Sequence, residues 1–460
     1  MSNEGLSLTW GQAAMIEMFH RRGLDPSGFP LSVVFDEHNG HTDRDGVLGA
    51  LHGLATRHDV LTAVFEDADD TLDLTDSRTF PRQLLSGETQ VSPFTIEVAS
   101  TDAPLTSEQV RELARSEFKR RGRAFMPILI NRGGSWQGGI VVSHVAVDGT
   151  GLEMLRDEYH VILEGGVPGL RAARVDDVLK VECSPEYAQV EQENLAIVHG
   201  LLQRAEDANL NKGRAAEFRA DPATFAVVDS AKHAQTLAEL SAMLRVTKSG
   251  ISLIVYAILL SAELSARQVV VRSQFHRQPP ARDAVSAIAN APFAFSSVAI
   301  DPDLSFADLV RREFGSVVEG YRASLFSPYG YERVKRMVAL DRGMEELNGI
   351  PEFMYLPKAG RPRERARKVA ASKVERTLFE VVPGFQPYSR GNLSIFEESD
   401  HDSLKLFGHR WREFSDSLEV VRTFHRFCAI AATNVDLKVG EILGRARTAS
   451  DNNTVSLALL

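Results

Sequence analysis

One strand–turn–helix segment constrains the fold of this chain more than the rest of it: Gly139-Ile140-Val141-Val142-Ser143-His144-Val145-Ala146-Val147-Asp148-Gly149. Its apolar run, Gly139 to Val142, reads as a short buried strand. Asp148-Gly149 is turn chemistry and ends the run. Further on, Leu152, Leu155, Tyr159 and Leu163 return at steps of three and four, the period of an amphipathic helix. A histidine at the end of a rigid strand, with a carboxylate four residues later in an open turn, is well placed to act as a base. By itself, however, a lone histidine near a strand end is more often a structural residue than a catalyst. As HxxxD the spacing also suits a metal, although no third His, Cys or carboxylate ligand stands nearby.

Composition narrows the class. A chain of 460 residues implies two or more domains, and 43% hydrophobic with 25% charged residues can build full cores. The net charge of −10 argues against a protein built mainly for nucleic-acid backbones. Cys183 and Cys428 are far apart and lack CxxC spacing, which suggests reduced thiols and neither a disulfide frame nor a zinc cluster. The start, Met1 to Gly5, has no basic and apolar signal character, and the longest apolar stretch, Ile251 to Leu260, is too short to span a bilayer. A cytoplasmic protein with no membrane or nucleic-acid partner is expected.

Strand-like and helix-like segments alternate along the first half. Leu31 to Phe35, Val64-Phe65 and Val91 to Val98 read as strands, and Val47, Leu48, Leu51 and Leu54 share one helical face. Composition loosens between Gly165 and Gln192, which puts a boundary near residue 180 and divides the chain into 1–180 and 181–460. The second half opens with a long polar helix. Helical segments from Leu237 to Leu244 and Ile251 to Leu260 come next, then strands at Val269 to Val271 and Phe293 to Ile300, and an amphipathic helix from Leu418 to Thr433. The acidic tract Asp67 to Asp70 lacks EF-hand spacing and reads as a solvated hairpin tip. Asp36-Glu37-His38-Asn39-Gly40-His41 reads as a solvated turn. The basic run Lys358 to Lys368 reads as an exposed loop suited to an acidic carrier protein or a phosphate-bearing substrate.

Ser143-His144-Val145-Ala146-Val147-Asp148-Gly149 resembles the HHxxxDG signature of condensation domains from nonribosomal peptide synthesis, in the chloramphenicol acetyltransferase-like superfamily. Other segments fit in the same order. Leu6 to Gln12 resembles the opening "LSxxQ" segment, Arg57-His58-Asp59-Val60-Leu61 the RHExLR helix end, and Ser107 to Arg120 the charged helix before the signature strand. Val269 to Arg277 resembles the "vvvG…GR" strand and turn, and Pro328-Tyr329-Gly330-Tyr331-Glu332 the late "PFE" segment. The resemblance covers about residues 6 to 440. It implies an α/β (α+β) pseudo-dimer of two chloramphenicol acetyltransferase-like lobes with a V-shaped cleft and a central tunnel. No internal repeat in the sequence shows this independently.

The resemblance also assigns roles. His144 matches the catalytic histidine, a general base for acyl transfer from a thioester to an amine or, second, an alcohol. Histidine's ordinary pKa of about 6.5 leaves the imidazole mostly neutral at cellular pH. Asp148 matches an aspartate that forms a structural ion pair with an arginine of the second half, best matched here by Arg277. Gly149 is expected to permit tight backbone geometry. Neither a bound cofactor nor a metal is implied. The substrate arm would be the phosphopantetheine thioester of an acyl or peptidyl carrier protein acting in trans, or coenzyme A. No adenylation or carrier segment is recognised in the sequence.

Several positions depart from the pattern. Ser143 replaces the first histidine of the signature, and Thr150-Gly151 replaces Trp-Ser, so Ser143 and Thr150 are candidate substrate contacts whose change puts the carrier or donor contacts in doubt. Thr62-Ala63 replaces Arg-Thr, Ala291 to Ser296 matches the "FVNT" strand poorly, and Glu319-Gly320-Tyr321-Arg322 only faintly echoes the epimerization motif EGHGRE. Two other readings remain open. One is a coenzyme A-dependent acyltransferase like the plant BAHD enzymes, although no DFGWG segment is present. The other is a non-catalytic condensation-like scaffold, which Ser143 and the lost Trp-Ser favour.

Overall fold

A computed structural model describes residues 5–21, 30–35, 43–66, 72–99, 103–210, 223–274, 284–290, 292–345, 347, 350–356, 376–382, 391–397, 402–408 and 417–448. Two compact units result. The first comprises Met1–Gln192, His276–Pro292 and Phe326–Glu332, and the second Glu193–Phe275, Phe293–Leu325 and Arg333–Leu460. The division therefore differs from a single cut near residue 180. The stretch of loosened composition takes in the helix Val175–Glu182 and the start of the helix Pro185–Arg204, whose polar residues are mostly exposed or half-buried. Two later segments return to the first unit through backbone pairing and packing that local composition does not encode. Ala284–Val285, for example, pairs in parallel with Arg171–Ala172.

The first unit is built on a four-stranded sheet in the order Pro30–Val34, Ser135–Ser143, Phe125–Arg132, Phe94–Val98. Phe125–Arg132 and Ser135–Ser143 form a hairpin through Gly133 (φ 59°) and Gly134 (φ 92°). Two successive positive φ angles match the right-handed twist of the strands and require residues without a Cβ clash. The helix Ser107–Arg121 starts on a capping box between Thr106 and Gln109 and ends on Gly122 in the left-handed region. The helices Arg44–Arg57 and Gly149–Leu163 bury Leu51, Leu54, Leu155 and Tyr159 against Ile140, Val142 and Leu129 of the sheet.

The second unit carries a seven-stranded sheet in the order Phe293–Ala299, Gln268–Gln274, Glu352–Leu356, Gly391–Glu397, Asp402–Gly408, Ala223–Ser230, Arg376–Val382. The apolar stretch noted in the sequence is the helix Lys248–Leu264, capped by Thr247, with every residue from Gly250 to Leu260 buried. Its core partners include Val269, Val271, Val298, Phe353, Phe424 and Phe427. Such an all-round apolar helix belongs inside a layer of sheet and helices. Among the described residues, no single helix is long and apolar enough to cross a membrane.

Candidate active site around His144

The strand Ser135–Ser143 ends in a tight turn that presents one imidazole. The Ser143 carbonyl accepts hydrogen bonds from Ala146 N–H and Val147 N–H, both at 3.0 Å, and its N–H donates to Ala124 O at 2.8 Å. Val145, Ala146 and Val147 are buried, so three apolar side chains pin the turn and His144 alone stays half-buried. Its Nδ1 lies 3.2 Å from Val147 O. A carbonyl only accepts, so Nδ1 carries the proton in this contact, and in the neutral ring Nε2 is then the basic nitrogen. That tautomer is the one a base needs. The ring edge meets Phe19 at 6.1 Å between centroids, at 71°.

Asp148 closes the turn. It is the N-cap of the helix Gly149–Leu163: its Oδ1 accepts from Gly151 N–H at 2.8 Å and its Oδ2 from Asn290 N–H at 3.0 Å. One carboxylate thus fixes both the helix start and a segment returned from residue 290. The same segment donates Ala289 N–H to Ala146 O at 2.8 Å and bridges Ile288 to Val147. Glycines allow its close approach. A Cβ on Gly151 would stand 2.5 Å from Ala287 O, and one on Gly11 would stand 2.0 Å from Ala289 O. The histidine turn therefore rests on a strand gripped between two helix starts.

The rest of the helix is braced at a distance. Glu158 Oε2 accepts from His58 Nε2 at 2.6 Å and from Arg57 Nε at 2.8 Å, while a second Arg57 nitrogen donates to Leu170 O. Burial pushes the Glu158 carboxyl up, but the hydrogen bonds from His58 and Arg57 outweigh it and hold it below the usual carboxylate range. On the opposite flank Thr9 and Gln12 cap the helix Trp10–Arg21 reciprocally, and Gln12 Nε2 reaches Gln83 Oε1 at 3.0 Å. Trp10 Nε1 donates to Tyr329 OH at 3.1 Å, and Arg21 pairs with Glu17 and Glu332. Among the described residues, no group of three or more His, Cys, Asp or Glu side chains could hold a metal ion.

No protein-family model and no curated protein matches the chain. Solved structures do. The first condensation domain of the calcium-dependent antibiotic synthetase, in complex with a substrate analogue, aligns with a TM-score of 0.64 at 16% identity, covering 96% of this chain and 99% of that one. The condensation domain of the Monacolin K polyketide synthase MokA aligns with a TM-score of 0.67 at 13% identity, over 95% and 99%. A variant of the starter condensation domain of the rhizomide synthetase RzmA, in complex with C8-CoA, gives 0.64 at 14% identity, over 95% and 96%. This chain has the condensation-domain fold.

Within the condensation-domain fold, the residues singled out in the sequence separate by environment. His144 and Asp148 share one turn, where His144 Nδ1 engages Val147 O and Asp148 engages backbone N–H groups. Gly149 does not have the role expected of it. Nothing lies within 4 Å of a Cβ built there, and the tight approach belongs to Gly151. Ser143 is buried and accepts from Val145 N–H at 3.3 Å, so its hydroxyl serves its own turn, while Thr150 is half-buried in the first helical turn. Arg277, the proposed partner of Asp148, lies outside the described residues, as do Asp36 to His41, Asp67 to Asp70 and Lys358 to Lys368. Gly320 of the faint epimerization echo is buried near the end of the helix Phe306–Arg322, against Phe295 O. The grip of Gly11 and Gly151 on residues 287–289 was missed. The available signal was glycine inside a helical pattern, which costs stability unless a backbone must come close.

Proposed function

We propose that the protein is a condensation-type acyltransferase whose base is His144. The donor is an acyl or aminoacyl thioester on a carrier-protein phosphopantetheine or on coenzyme A, and the acceptor is an amine, with an alcohol as the second choice. The nucleophile attacks the thioester carbonyl and Nε2 of His144 takes its proton. A tetrahedral oxyanion forms and collapses, the C–S bond breaks, and the imidazolium returns the proton to the leaving thiolate. Asp148 acts as a positioning residue for the turn. Neighbours with this fold include condensation domains of synthetases and of a polyketide synthase, and C8-CoA in one of them supports a thioester donor. The observation that carries the reading is the Nδ1–Val147 O contact at 3.2 Å, which in the neutral imidazole makes Nε2 the basic nitrogen.

The test is product formation with His144→Ala, using a carrier-loaded and a coenzyme A-loaded acyl donor with amine and alcohol acceptors. The expected loss is about 10²- to 10⁴-fold with unchanged folding. Near wild-type turnover by the folded variant ends the assignment. Carrier binding without turnover of any loaded substrate by the wild-type protein would favour the scaffold reading instead.

A further inference from the structure

Several hydroxyl groups in the core of the second unit break the rule that buried polar atoms are paired. Ser252, Tyr256 and Ser296 are fully buried, and none of their hydroxyls has a hydrogen-bond partner among the described residues. A mid-helix serine ordinarily bonds the carbonyl four residues back. Ser252 does not.

These groups lie on elements that pack on one another in the core. Ser252 and Tyr256 lie one turn apart on the helix Lys248–Leu264 and so share a face. The Tyr256 ring lies against Phe353, with centroids 6.2 Å apart, and Phe353 is the in-register neighbour of Ser273, another fully buried serine. Across the antiparallel pair Ser273 opposes Ala294 and Val271 opposes Ser296. The two serines are therefore diagonal neighbours on one face of the sheet. That face, with Val269, Val271 and Phe353, meets the core helix, while Arg272 and Glu352 alternate to the other side. Gly320 brings the next helix onto the same spot, since its Cβ would stand 2.8 Å from Ser296 Oγ. The adjoining Tyr321 places its hydroxyl 3.5 Å from half-buried Ser249 Oγ. Burial raises the Tyr321 phenol above its ordinary value, and the Ser249 and Ser273 hydroxyls pull it partly back.

A site lined by neutral hydroxyls, with no carboxylate or cation on that face among the described residues, suits neither a metal ion nor an anion. It suits a small ligand that both donates and accepts and that needs two to four polar partners. We propose that ordered water is bound among Ser252, Tyr256, Ser273 and Ser296, joining the helix Lys248–Leu264 to the sheet beneath it.

A crystal structure at solvent-resolving quality and two conservative variants test this. Solvent density is expected within about 2.7–3.2 Å of at least two of the four hydroxyls. Tyr256→Phe and Ser252→Ala should each lower the urea midpoint by about 0.3–1 M at unchanged m. The double variant should lose less than the sum, because the two hydroxyls share a ligand. The proposal is overturned by density contacting fewer than two of these hydroxyls, by a midpoint unchanged or raised in Tyr256→Phe, or by strict additivity of the pair.

Discussion

Gly151 faces the carbonyl of Ala287 so closely that a side chain has no place there: a Cβ would stand 2.5 Å from the oxygen and 3.1 Å from Cα. Two positions earlier, Gly149 has nothing within 4 Å of its own Cβ position. Opposite outcomes are expected for the same substitution. Gly151→Ala pushes on backbone, which cannot rotate away, and should cost about 1–3 kcal/mol. Gly149→Ala gains helix propensity at an exposed first turn and should be neutral or stabilising by up to about 1 kcal/mol. Urea midpoints of the two variants measured side by side check this, and equal losses would contradict it.

Glu158 offers a pH test. Its carboxyl is held below the usual range in the folded chain by His58 and Arg57, against the opposing effect of burial. A depressed folded value means stability that is complete above the unfolded carboxylate range and lost as pH falls through the folded value. Glu158→Gln removes the charge that both donors share and should destabilise the protein by about 1–3 kcal/mol near neutral pH. The stability gap between wild type and variant should then close on acidification below the carboxylate range. A gap that stays constant with pH rules out this origin.

What could be read in the sequence was what is local. The strand over Gly139 to Val142 and the helix over Leu152 to Leu163 follow from period, and both are present within Ser135–Ser143 and Gly149–Leu163, whereas Asp148-Gly149, read as a turn, is the cap and first residue of that helix. The resemblance carried the fold class at identities of 13–16% because the segments fell in family order. Contacts between distant segments were not legible. Nothing near Gly11 or Gly151 names Ala289 or Ala287 as its neighbour, and nothing near Glu158 names His58, 100 residues earlier. Gly149 was preferred to Gly151 because a motif marks identity, whereas steric need depends on what lies opposite. The boundary near residue 180 rests on composition alone, which polar helix faces and linkers share.

For His144 in the proposed role the expected signature is an acid limb. A histidine base works only as neutral imidazole, so kcat/KM should fall as pH drops through the imidazole titration and level off above it. His144→Gln keeps much of the ring's volume and one polar end but cannot take a proton, and its residual rate should lack that limb. Phe19, edge-on to the ring at 6.1 Å, gives a control: Phe19→Leu should weaken ring placement and lower kcat while leaving the limb in place. A limb that survives in His144→Gln assigns it to another group.

Asp148 distinguishes a charge from a pair of acceptors. Its two oxygens serve two backbone donors, Gly151 N–H at 2.8 Å and Asn290 N–H at 3.0 Å. Asp148→Asn retains one carbonyl oxygen, so it can keep the helix cap but turns an NH₂ toward the other donor. Asp148→Ala loses both. On caps alone the alanine should cost about 1 kcal/mol, and release of the 287–290 segment should add to that. Because that segment supports the turn through Ala146 O and Val147, both variants should lower kcat more than they raise KM, alanine the more severely. Full activity in Asp148→Ala would show that the turn holds His144 without it.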